Sequence, residues 1–394
     1  MQYLRDISIP RQTRSMRIPG PKWHSRRKLL TPAFHRSILE SFQEVFEEKS
    51  EVLVRKLARM CKEGQVFNIE TYIAQSSLDV ICETAMGTKM RIQEEVTLEE
   101  AKYLEAKNSA AEITTYRFLR PWLHPDFIFN MTPKGWKFNQ SVKMMHDFTN
   151  KVTNYEDDAE VRPKKRKAFM DILIEASYAD GPENKPFLSD LDIREEVDTF
   201  MFEGHDTTAS SISWTLYLLG RHPDIQERVW QEVDEVLGDE RISSMQKLTE
   251  LRLLDRCIRE SLRLYPSVPL IARKLREDVK LGDYIAPAGS EVFIHLILAH
   301  RDPDIFPEPD KFDPDNFLPE NCEKRPPFAF VPFSAGSRNC IGQKFALQEM
   351  KTVLATILRN YRLESTDAPE NLTVIPELVL RSKEGINVLL HPRK

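Results

Sequence analysis

The sequence predicts a mainly α-helical protein with a small β portion, forming a single large domain over residues 1–394. Apolar residues recur at helical rather than alternating spacing through roughly the first 260 residues. Eight prolines then fall between Pro303 and Pro332, which excludes long helices there and indicates an irregular, ordered meander. Short β-type runs flank that meander at 292–296 and 386–390. No internal repeat or flexible linker divides the chain.

The longest predicted helix, at 189–220, would reach about 48 Å and cross a whole domain. Ser189 and Asp192 have the spacing of a capping box, and Gly220 before His222 and Pro223 predicts its end. We interpret the basic run 162–167, which follows acidic residues, as a solvated charged loop rather than a nuclear signal. The other predicted helices cover 38–63, 69–86, 99–119, 134–155, 167–178 and 341–358.

Composition and charge exclude several classes of function. A formal charge of -5 gives no electrostatic case for nucleic acid, and we predict no such partner. The five cysteines are scattered and form no CxxC, so a disulfide framework and a zinc ribbon are poor interpretations and a reducing compartment is expected. No apolar run approaches the about 18 residues of a membrane-spanning helix, and the first residues lack a signal peptide. Taken alone, these features predict a soluble protein.

The strongest local signal is the loop at 333–342, which holds Cys340 and leads directly into a predicted helix. A cysteine at a helix N-terminus lies among free backbone amides, and Arg338 adds a cation, so both should favour the thiolate. Gly336 permits a turn that a Cβ would obstruct, and Gly342 would let a flat ligand approach closely. A thiolate is a soft ligand that raises electron density on iron. A buried structural cysteine is the alternative, but the whole loop argues against it.

The spacing F-x-x-G-x-R-x-C-x-G, filled by Phe333, Gly336, Arg338, Cys340 and Gly342, resembles the haem-binding signature of cytochromes P-450. This resemblance implies the cytochrome P-450 fold. It also implies haem b (iron protoporphyrin IX) as the cofactor, with Cys340 as the axial thiolate ligand of the iron. Phe333, Gly336 and Arg338 would then contact the cofactor.

A second segment of the long helix, 202–208, agrees with the resemblance. Glycine weakens a helix centre by about 1 kcal/mol relative to alanine, so this segment suggests a local groove where Gly204 and Thr207 share a face. Thr207 can bond back to the carbonyl of Glu203 or donate toward dioxygen at the haem. Asp206 can relay protons. The pair Asp206 and Thr207 resembles the acid–alcohol pair of the family and is predicted to be catalytic; a solvent-facing polar turn is the alternative.

Glu260 and Arg263 form the E-x-x-R pattern of the family. The pattern is weak by itself, because such ion pairs occur on many helices. The family usually closes a triad with an arginine in a P-E-R-F-like segment, but this chain has Asn316 there. Stabilisation by that triad is therefore in question, although asparagine can still hydrogen-bond.

Arg338 and three further residues are predicted to bind the haem propionates. Trp23 and Arg27 form W-x-x-x-R and lie at i,i+4, so an N–H donor and a cation can point the same way. A surface pair would be the ordinary interpretation of that spacing alone. The resemblance adds Arg273, which follows the E-x-x-R helix.

The run 196–208 resembles the family-4 group of cytochromes P-450, especially its insect members. That group is associated with ω-hydroxylation of fatty acids and with hormone and xenobiotic metabolism. In it a glutamate of the long helix can form an ester with a haem methyl, and Glu203 matches that position. An unlinked glutamate beside the haem is the alternative, and the sequence leaves both open.

The resemblance begins near Pro21, whereas family members run to about 500 residues. We therefore expect the membrane anchor, a Pro-rich hinge, two helices and the first strands to be absent here. Either the product or gene model is truncated, or the anchor lies upstream of the given sequence. A strand near Val292 would then lose partners and expose an unpaired edge. For the full-length form the resemblance implies membrane association, at the cytosolic face of the endoplasmic reticulum.

The predicted function is a haem-thiolate monooxygenase that inserts one oxygen atom into an apolar small molecule. Its electrons would come from NADPH-cytochrome P-450 reductase, with cytochrome b5 as an optional second donor. A reductase-independent isomerase or dehydratase is less consistent with Asp206 and Thr207. A non-catalytic fragment with weak haem binding is the third alternative. Predicted substrate contacts are Phe200, Val268, Leu270 and the turn near Pro376; the predicted reductase-docking residues are Arg26, Lys28 and Lys344.

Overall fold

The fold is that of a computed structural model, which describes residues 20–154, 169–178, 188–238, 240–242 and 245–393. Its helices are α1 Gly20–Leu30, α2 Arg36–Glu63, α3 Ile69–Thr84, α4 Leu98–Phe118, α5 Asp126–Asn130, α6 Pro133–Asn154, α7 Phe169–Tyr178, α8 Asp190–Arg221, α9 Pro223–Leu237, α10 Met245–Glu250, α11 Arg252–Leu264, α12 Leu296–Ala299, α13 Pro319–Glu323 and α14 Gln343–Asn360. Its strands are β1 Phe67–Asn68, β2 Leu270–Lys274, β3 Val279–Leu281, β4 Tyr284–Ala286, β5 Glu291–His295, β6 Tyr361–Ser365, β7 Val374–Pro376, β8 Leu380–Ser382 and β9 Asn387–Pro392.

The predicted mainly α architecture is confirmed. Helices α2, α3, α4 and α14 lie within two residues of their predicted bounds. Helices α6 and α7 occupy the predicted segments as far as the described residues go, because residues 155 and 167–168 lie outside them. The charged run 162–167 also lies outside the described residues. The meander between Pro303 and Pro332 contains only the short 3-10 helix Pro314–Phe317 and α13.

Helix α8 is the centre of the fold. It begins with the predicted capping box, in which Ser189 and Asp192 satisfy each other's backbone amides. The sequence suggested that Gly220 would end the helix. In the structure α8 continues for one more residue, to Arg221, and is capped at His222. A Cβ on Gly220 would lie 2.3 Å from the Ser365 Oγ, so this glycine lets strand β6 pack directly against the helix.

The hydrophobic core surrounds α8, which packs against α3 on one side and α11 and α14 on the other. Trp214 of α8 is fully buried and stacks on Tyr265 with ring centroids 4.1 Å apart. A second cluster joins α2, α3, α7 and the first half of α8. These contacts fix the first half of α8 beside α3 and thereby shape the groove described below.

The small β portion consists of short antiparallel pairings. β9 pairs with β1 and β6, β3 with β4, and β7 with β8. β5 pairs with β2, from Leu270 opposite His295 to Lys274 opposite Glu291. Within the described residues no strand pairs with the other edge of β5.

Among the helices that the structure describes, none is long and apolar enough to cross a membrane.

Candidate active site

The loop at 333–342 forms the tight turn that its glycine predicted. Gly336 adopts φ +77 and Ser334, a non-glycine residue, adopts φ +59. The Cys340 amide donates to the Phe333 carbonyl at 2.9 Å and closes the loop. Helix α14 begins at Gln343 with Gly342 as its N-cap, two residues later than predicted. Cys340 therefore lies just before the helix, with its side chain facing a cavity.

The electrostatics of Cys340 differ from the sequence expectation. Burial raises the pKa of the Cys340 thiol to about 11, although the Gly342 backbone and the Arg27 guanidinium act in the opposite direction. The exposed surface of this side chain opens onto the internal cavity rather than onto the protein exterior. The Gly342 backbone and a nearby cation favour the thiolate, as predicted, although the cation is Arg27 and desolvation outweighs both. A bound metal deprotonates a coordinating thiol outright.

A cavity of about 280 Å³ separates the Cys340 loop from α8. Its α8 wall carries Glu203, Gly204, Thr207, Thr208 and Ser211, and its opposite wall carries residues 332–334 and 338–342. The rest is predominantly apolar and includes Leu30, Ala33, Phe34, Phe42, Ile81, Phe169, Phe200, Leu262, Val268, Ile271, Leu296, Phe345 and Met350.

The groove predicted at the centre of α8 is present. A Cβ on Gly204 would lie 2.8 Å from Ile81 Cδ1, so glycine here allows α3 to approach the helix closely. The Thr207 hydroxyl donates to the Glu203 carbonyl at 3.0 Å, which is one of the two roles considered for it. Gly204 and Thr207 both line the cavity, so the solvent-facing alternative is wrong for this face of the helix.

Asp206 lies on a different face of α8 and is not among the residues that line the cavity. Its carboxylate accepts bonds from Lys107 Nζ at 2.5 Å and from Arg381 Nη2 at 2.5 and 2.7 Å. Burial alone would raise the pKa of Asp206, but these two cations outweigh burial and hold it well below its usual range. Asp206 is therefore a fully paired carboxylate inside the protein.

Helix α1, strand β2 and the Cys340 loop hold the four predicted propionate ligands at the edge of the cavity. Trp23 stacks on Arg338, whose guanidinium lies 3.6 Å from the ring centroid. Arg27 donates to the carbonyl and side-chain oxygens of Asn339, at 2.8 and 2.9 Å. Arg273, on β2, donates to the Ser334 hydroxyl at 3.1 Å. The structure thus brings Trp23, Arg27, Arg273 and Arg338 together around Cys340.

The E-x-x-R pair forms a fully buried ion pair. Arg263 Nη2 donates to Glu260 Oε1 at 2.7 Å, and Asn316 donates its amide to the same oxygen at 3.0 Å. Arg263 also donates to the carbonyls of His300, Pro309 and Lys311. The prediction that Asn316 can still hydrogen-bond in place of the family's arginine is confirmed.

Two sets of sequence predictions need correction. Phe200 and Val268 line the cavity, whereas Leu270 and Pro376 are not among its lining residues within the described part of the chain. Arg26, predicted to dock a reductase, is only 3% exposed. It is paired with Asp192, Glu195 and Glu196 of α8 and cannot meet a partner, whereas Lys28 and Lys344 are exposed.

Sequence reasoning missed several residues of the site. Asn339 accepts hydrogen bonds from Arg27, and Lys107 and Arg381 pair with Asp206. These partners lie far apart in the chain, so no local sequence motif reveals them. Phe34 and Phe169 form an aromatic cluster with Phe200, with centroids 5.7 and 4.1 Å from it. The Ser211 and Ser267 hydroxyls lie 2.5 Å apart at the cavity wall. Of these residues, only Ser211 could have been found from the sequence, because it lies four residues after Thr207 and therefore on the same face of the helix.

The residues of this cavity fit haem. A thiol sulfur faces it from one wall, and the face of α8 that carries Gly204 and Thr207 forms the other. Four arginines and two glutamates line it. Arg26 and Glu196 form an ion pair, so the remaining charges are three guanidinium groups and the carboxylate of Glu203. That excess of two positive charges matches the two propionates of the cofactor. The donor set therefore defines a haem-thiolate site.

Comparison with known proteins identifies the family. The cytochrome P450 family model matches residues 8–389, so the chain belongs to this family. It is 48% identical to cytochrome P450 4c3 of Drosophila melanogaster, over 94% of this chain and 72% of the relative. It is 43% identical to human cytochrome P450 4V2, over 95% and 73%, and 42% identical to Drosophila cytochrome P450 4d8, over 95% and 83%. The chain is a haem-thiolate monooxygenase related to family 4.

Proposed function

We propose that this monooxygenase oxidises an apolar small molecule, of the fatty acid, hormone or xenobiotic class. The observation that carries the proposal is the aromatic cluster Phe34, Phe169 and Phe200, which lines the same cavity as Cys340 and Thr207. An apolar ligand there would bury its surface against these rings, with few polar groups to fix its orientation. Binding is measured as the substrate-induced shift of the haem Soret band, for a series of acids, terpenoids and aromatic compounds.

The predicted site residues fall into groups by their role in this proposal. Cys340 holds the iron through its sulfur, and Trp23, Arg27, Arg273 and Arg338 bind the propionates, while Phe333 and Gly336 shape the loop. Haem, when bound, supplies the activation of dioxygen. Thr207 holds a proton at its hydroxyl on the cavity wall. Asp206, the residue before it, would relay protons toward it as a carboxylate that accepts and passes them on, since Lys107 and Arg381 hold it ionised.

The role of Thr207 is tested by separating proton delivery from substrate binding. We expect Thr207→Ala to retain the substrate-induced spectral shift while product per NADPH consumed falls at least about tenfold, the lower range for general acid–base catalysis. Thr208→Ala is the matched control, because Thr208 also bonds back to the helix, through the Gly204 carbonyl. Equal product per NADPH in Thr207→Ala and Thr208→Ala would mean that Thr207 has no role in proton delivery.

Glu203 is proposed to bond covalently to a haem methyl. The carboxylate lines the cavity together with Cys340. Ester formation would replace one methyl hydrogen by a carboxylate oxygen, which is a two-electron oxidation. Dioxygen, together with two electrons from the redox partner and three protons, would be the oxidant and would leave as two molecules of water. After turnover, acidic organic extraction should leave haem on the wild-type chain and remove it from Glu203→Ala. Complete extraction from both would leave Glu203 as an unlinked neighbour.

Electrons are proposed to come from NADPH-cytochrome P-450 reductase, with cytochrome b5 as an optional donor. Lys28 of α1 and Lys344 of α14 are exposed cations on the two helices that flank the Cys340 loop. Opposite charges steer association mainly through the on-rate. Reversing both to glutamate should slow first-electron transfer, most at low ionic strength, and an unchanged rate would exclude this surface.

The proposed location is the cytosolic face of the endoplasmic reticulum membrane. The segment from the end of α4 to the start of α6 exposes large apolar side chains, and tryptophan is enriched where proteins meet the membrane interface. We expect Trp122→Ser with Trp136→Ser to weaken binding to phospholipid vesicles. Phe328→Ser, at an exposed site elsewhere, is the control, and equal binding of all forms would overturn this contact. The exposed residues are Leu119, Trp122, Phe127, Met131 and Trp136.

The first experiment is the carbon monoxide difference spectrum of the reduced protein, with Cys340→Ala as control. A band at about 450 nm that the control lacks would establish the thiolate ligand in this chain. Product formation with purified reductase would then separate a monooxygenase from a reductase-independent isomerase. A band at about 420 nm in both proteins would mean that the native site does not assemble.

A further inference from the structure

The buried pair Glu260 and Arg263 carries one negative and one positive charge, and its third member is the neutral Asn316. Glu260 Oε1 accepts from Arg263, from the Asn316 amide and from the Asp313 backbone. Both charged side chains have no exposed surface. Asn316 adds a hydrogen bond but no cation to this cluster.

Arg325 brings a second cation to the same cluster from nine residues further along the chain. Its Nη2 donates to the Asn316 carbonyl. Its guanidinium lies over the rings of Phe306 and Phe317, 4.5 and 5.1 Å from their centroids. Arg263 lies 4.8 Å from the same Phe306 ring, so the two guanidinium groups share it. Burial lowers the pKa of Arg325, and the charge of Glu260 acts in the opposite direction.

Arg325 is also connected to the loop that holds Cys340. Phe317, one of its two rings, packs against Phe330 with centroids 4.6 Å apart. The backbone of Val331 donates to His300 Nε2 at 3.0 Å, and the His300 carbonyl accepts from Arg263. Two residues further, the Phe333 carbonyl accepts the Cys340 amide. The Phe317–Phe330 contact and the hydrogen bonds of His300 therefore both connect the cluster to the start of the Cys340 loop.

We propose that Arg325 is a positioning residue that takes the place of the arginine absent at 316 and holds the segment leading to Cys340. It acts through Phe317, Phe330 and the Asn316 backbone and has no contact with substrate. Arginine suits this position because its planar guanidinium can stack on two rings while donating a hydrogen bond. Lysine would keep the charge but lose the planar stacking.

The experiment uses the haem-loaded chain and two readouts that do not depend on substrate. The first is the rate at which the ferrous carbon monoxide band moves from about 450 to about 420 nm, which reports loss of the thiolate ligand. The second is hydrogen exchange of the backbone at 326–334. We expect Arg325→Ala to raise both rates about tenfold, corresponding to about 1.4 kcal/mol. Lys324→Ala, at the exposed neighbouring residue, should match the wild type.

Rescue distinguishes this role from a general loss of packing. Asn316→Arg in the Arg325→Ala background should restore both rates in part, because it returns a cation beside Glu260 but not the stacking on Phe306 and Phe317. Arg325→Lys should fall between the wild type and alanine, and it covers the case in which Arg325→Ala does not fold. Wild-type rates in Arg325→Ala, or a double variant no better than Arg325→Ala, would overturn the proposal. Neither result bears on which substrate the enzyme oxidises.

Discussion

Two buried carboxyl groups beside the core of α8 have opposite electrostatics. Asp206 is bound by Lys107 and Arg381, and these cations hold its pKa well below the usual range despite burial. Glu349 of α14 accepts a bond from the Ser77 hydroxyl at 2.7 Å. Burial raises the pKa of Glu349 to about 8, and Ser77 opposes this only partly.

The difference teaches that partners, rather than depth, decide the protonation state of a buried acid here. Both side chains are at most 2% exposed, so both lose nearly all their hydration. Two cations compensate for that loss at Asp206, whereas a single hydroxyl does not at Glu349. Glu70 lies between these cases, because burial raises its pKa to about 7 while Arg381 lowers it. The enzyme thus keeps one acid ionised beside its cavity and another neutral within its helical core.

Removing the ionised acid should have the largest effect on stability. Asp206→Ala leaves Lys107 and Arg381 as buried cations without their carboxylate, and breaking such a pair costs about 3–5 kcal/mol. The free energy of unfolding from urea titration measures this loss. Lys107→Met is the informative control, because Asp206 keeps its two bonds to Arg381 and the loss should be smaller. A loss below about 1 kcal/mol in Asp206→Ala would mean that Glu70 or Glu377 takes over both cations.

Replacing Glu349 by a neutral residue should stabilise the protein, whereas replacing Asp206 destabilises it. Between the ordinary value of 4.5 and about 8, folded Glu349 keeps a proton that the unfolded chain has released. Stability therefore falls as pH rises through this window, by about 1.4 kcal/mol per unit. Glu349→Gln removes this dependence and should be more stable than the wild type, by up to about 3 kcal/mol at pH 7. At pH 4.5 and below, this advantage should disappear.

Thermal unfolding of both proteins between pH 5 and pH 9 measures this difference. Up to about pH 8, the difference in stability between the two proteins should grow by about 1.4 kcal/mol per pH unit, as expected for the release of one proton. Parallel curves of stability against pH would mean that Glu349 is already ionised when folded, and the contrast with Asp206 would then fail.

The sequence predicted the parts of the site that lie close together in the chain. The Cys340 loop, the groove at Gly204 and Thr207, and the capping box of α8 are each specified within a few residues. Local backbone geometry controls such features, so spacing alone reveals them. The mainly α fold followed for the same reason, because helical periodicity is a local property.

The charge partners could not be predicted, because burial and long-range packing create them. Asp206 and Lys107 lie 99 residues apart, and Arg27 and Asn339 lie 312 apart. Arg26 was wrongly assigned to the surface, since a charged residue is usually exposed and nothing local identifies Asp192 and Glu196 as its partners. Gly220 was misread as a helix stop for a similar reason: only the approach of Ser365 explains it.

The smallest expected effect tests whether Ser77 is what moderates Glu349. Ser77→Ala should cost about 1 kcal/mol at pH 6, where the acid is neutral, and about 2 kcal/mol at pH 9, where a hydrogen bond to a charge is lost. The pKa of Glu349 should then rise above about 8. Ser76 is the matched control, since its buried hydroxyl has no hydrogen-bond partner in the described part of the chain. Ser76→Ala should change stability little and equally at both pH values; a pH-dependent loss there would show that the helix α3 environment, rather than the Ser77 hydroxyl, controls Glu349.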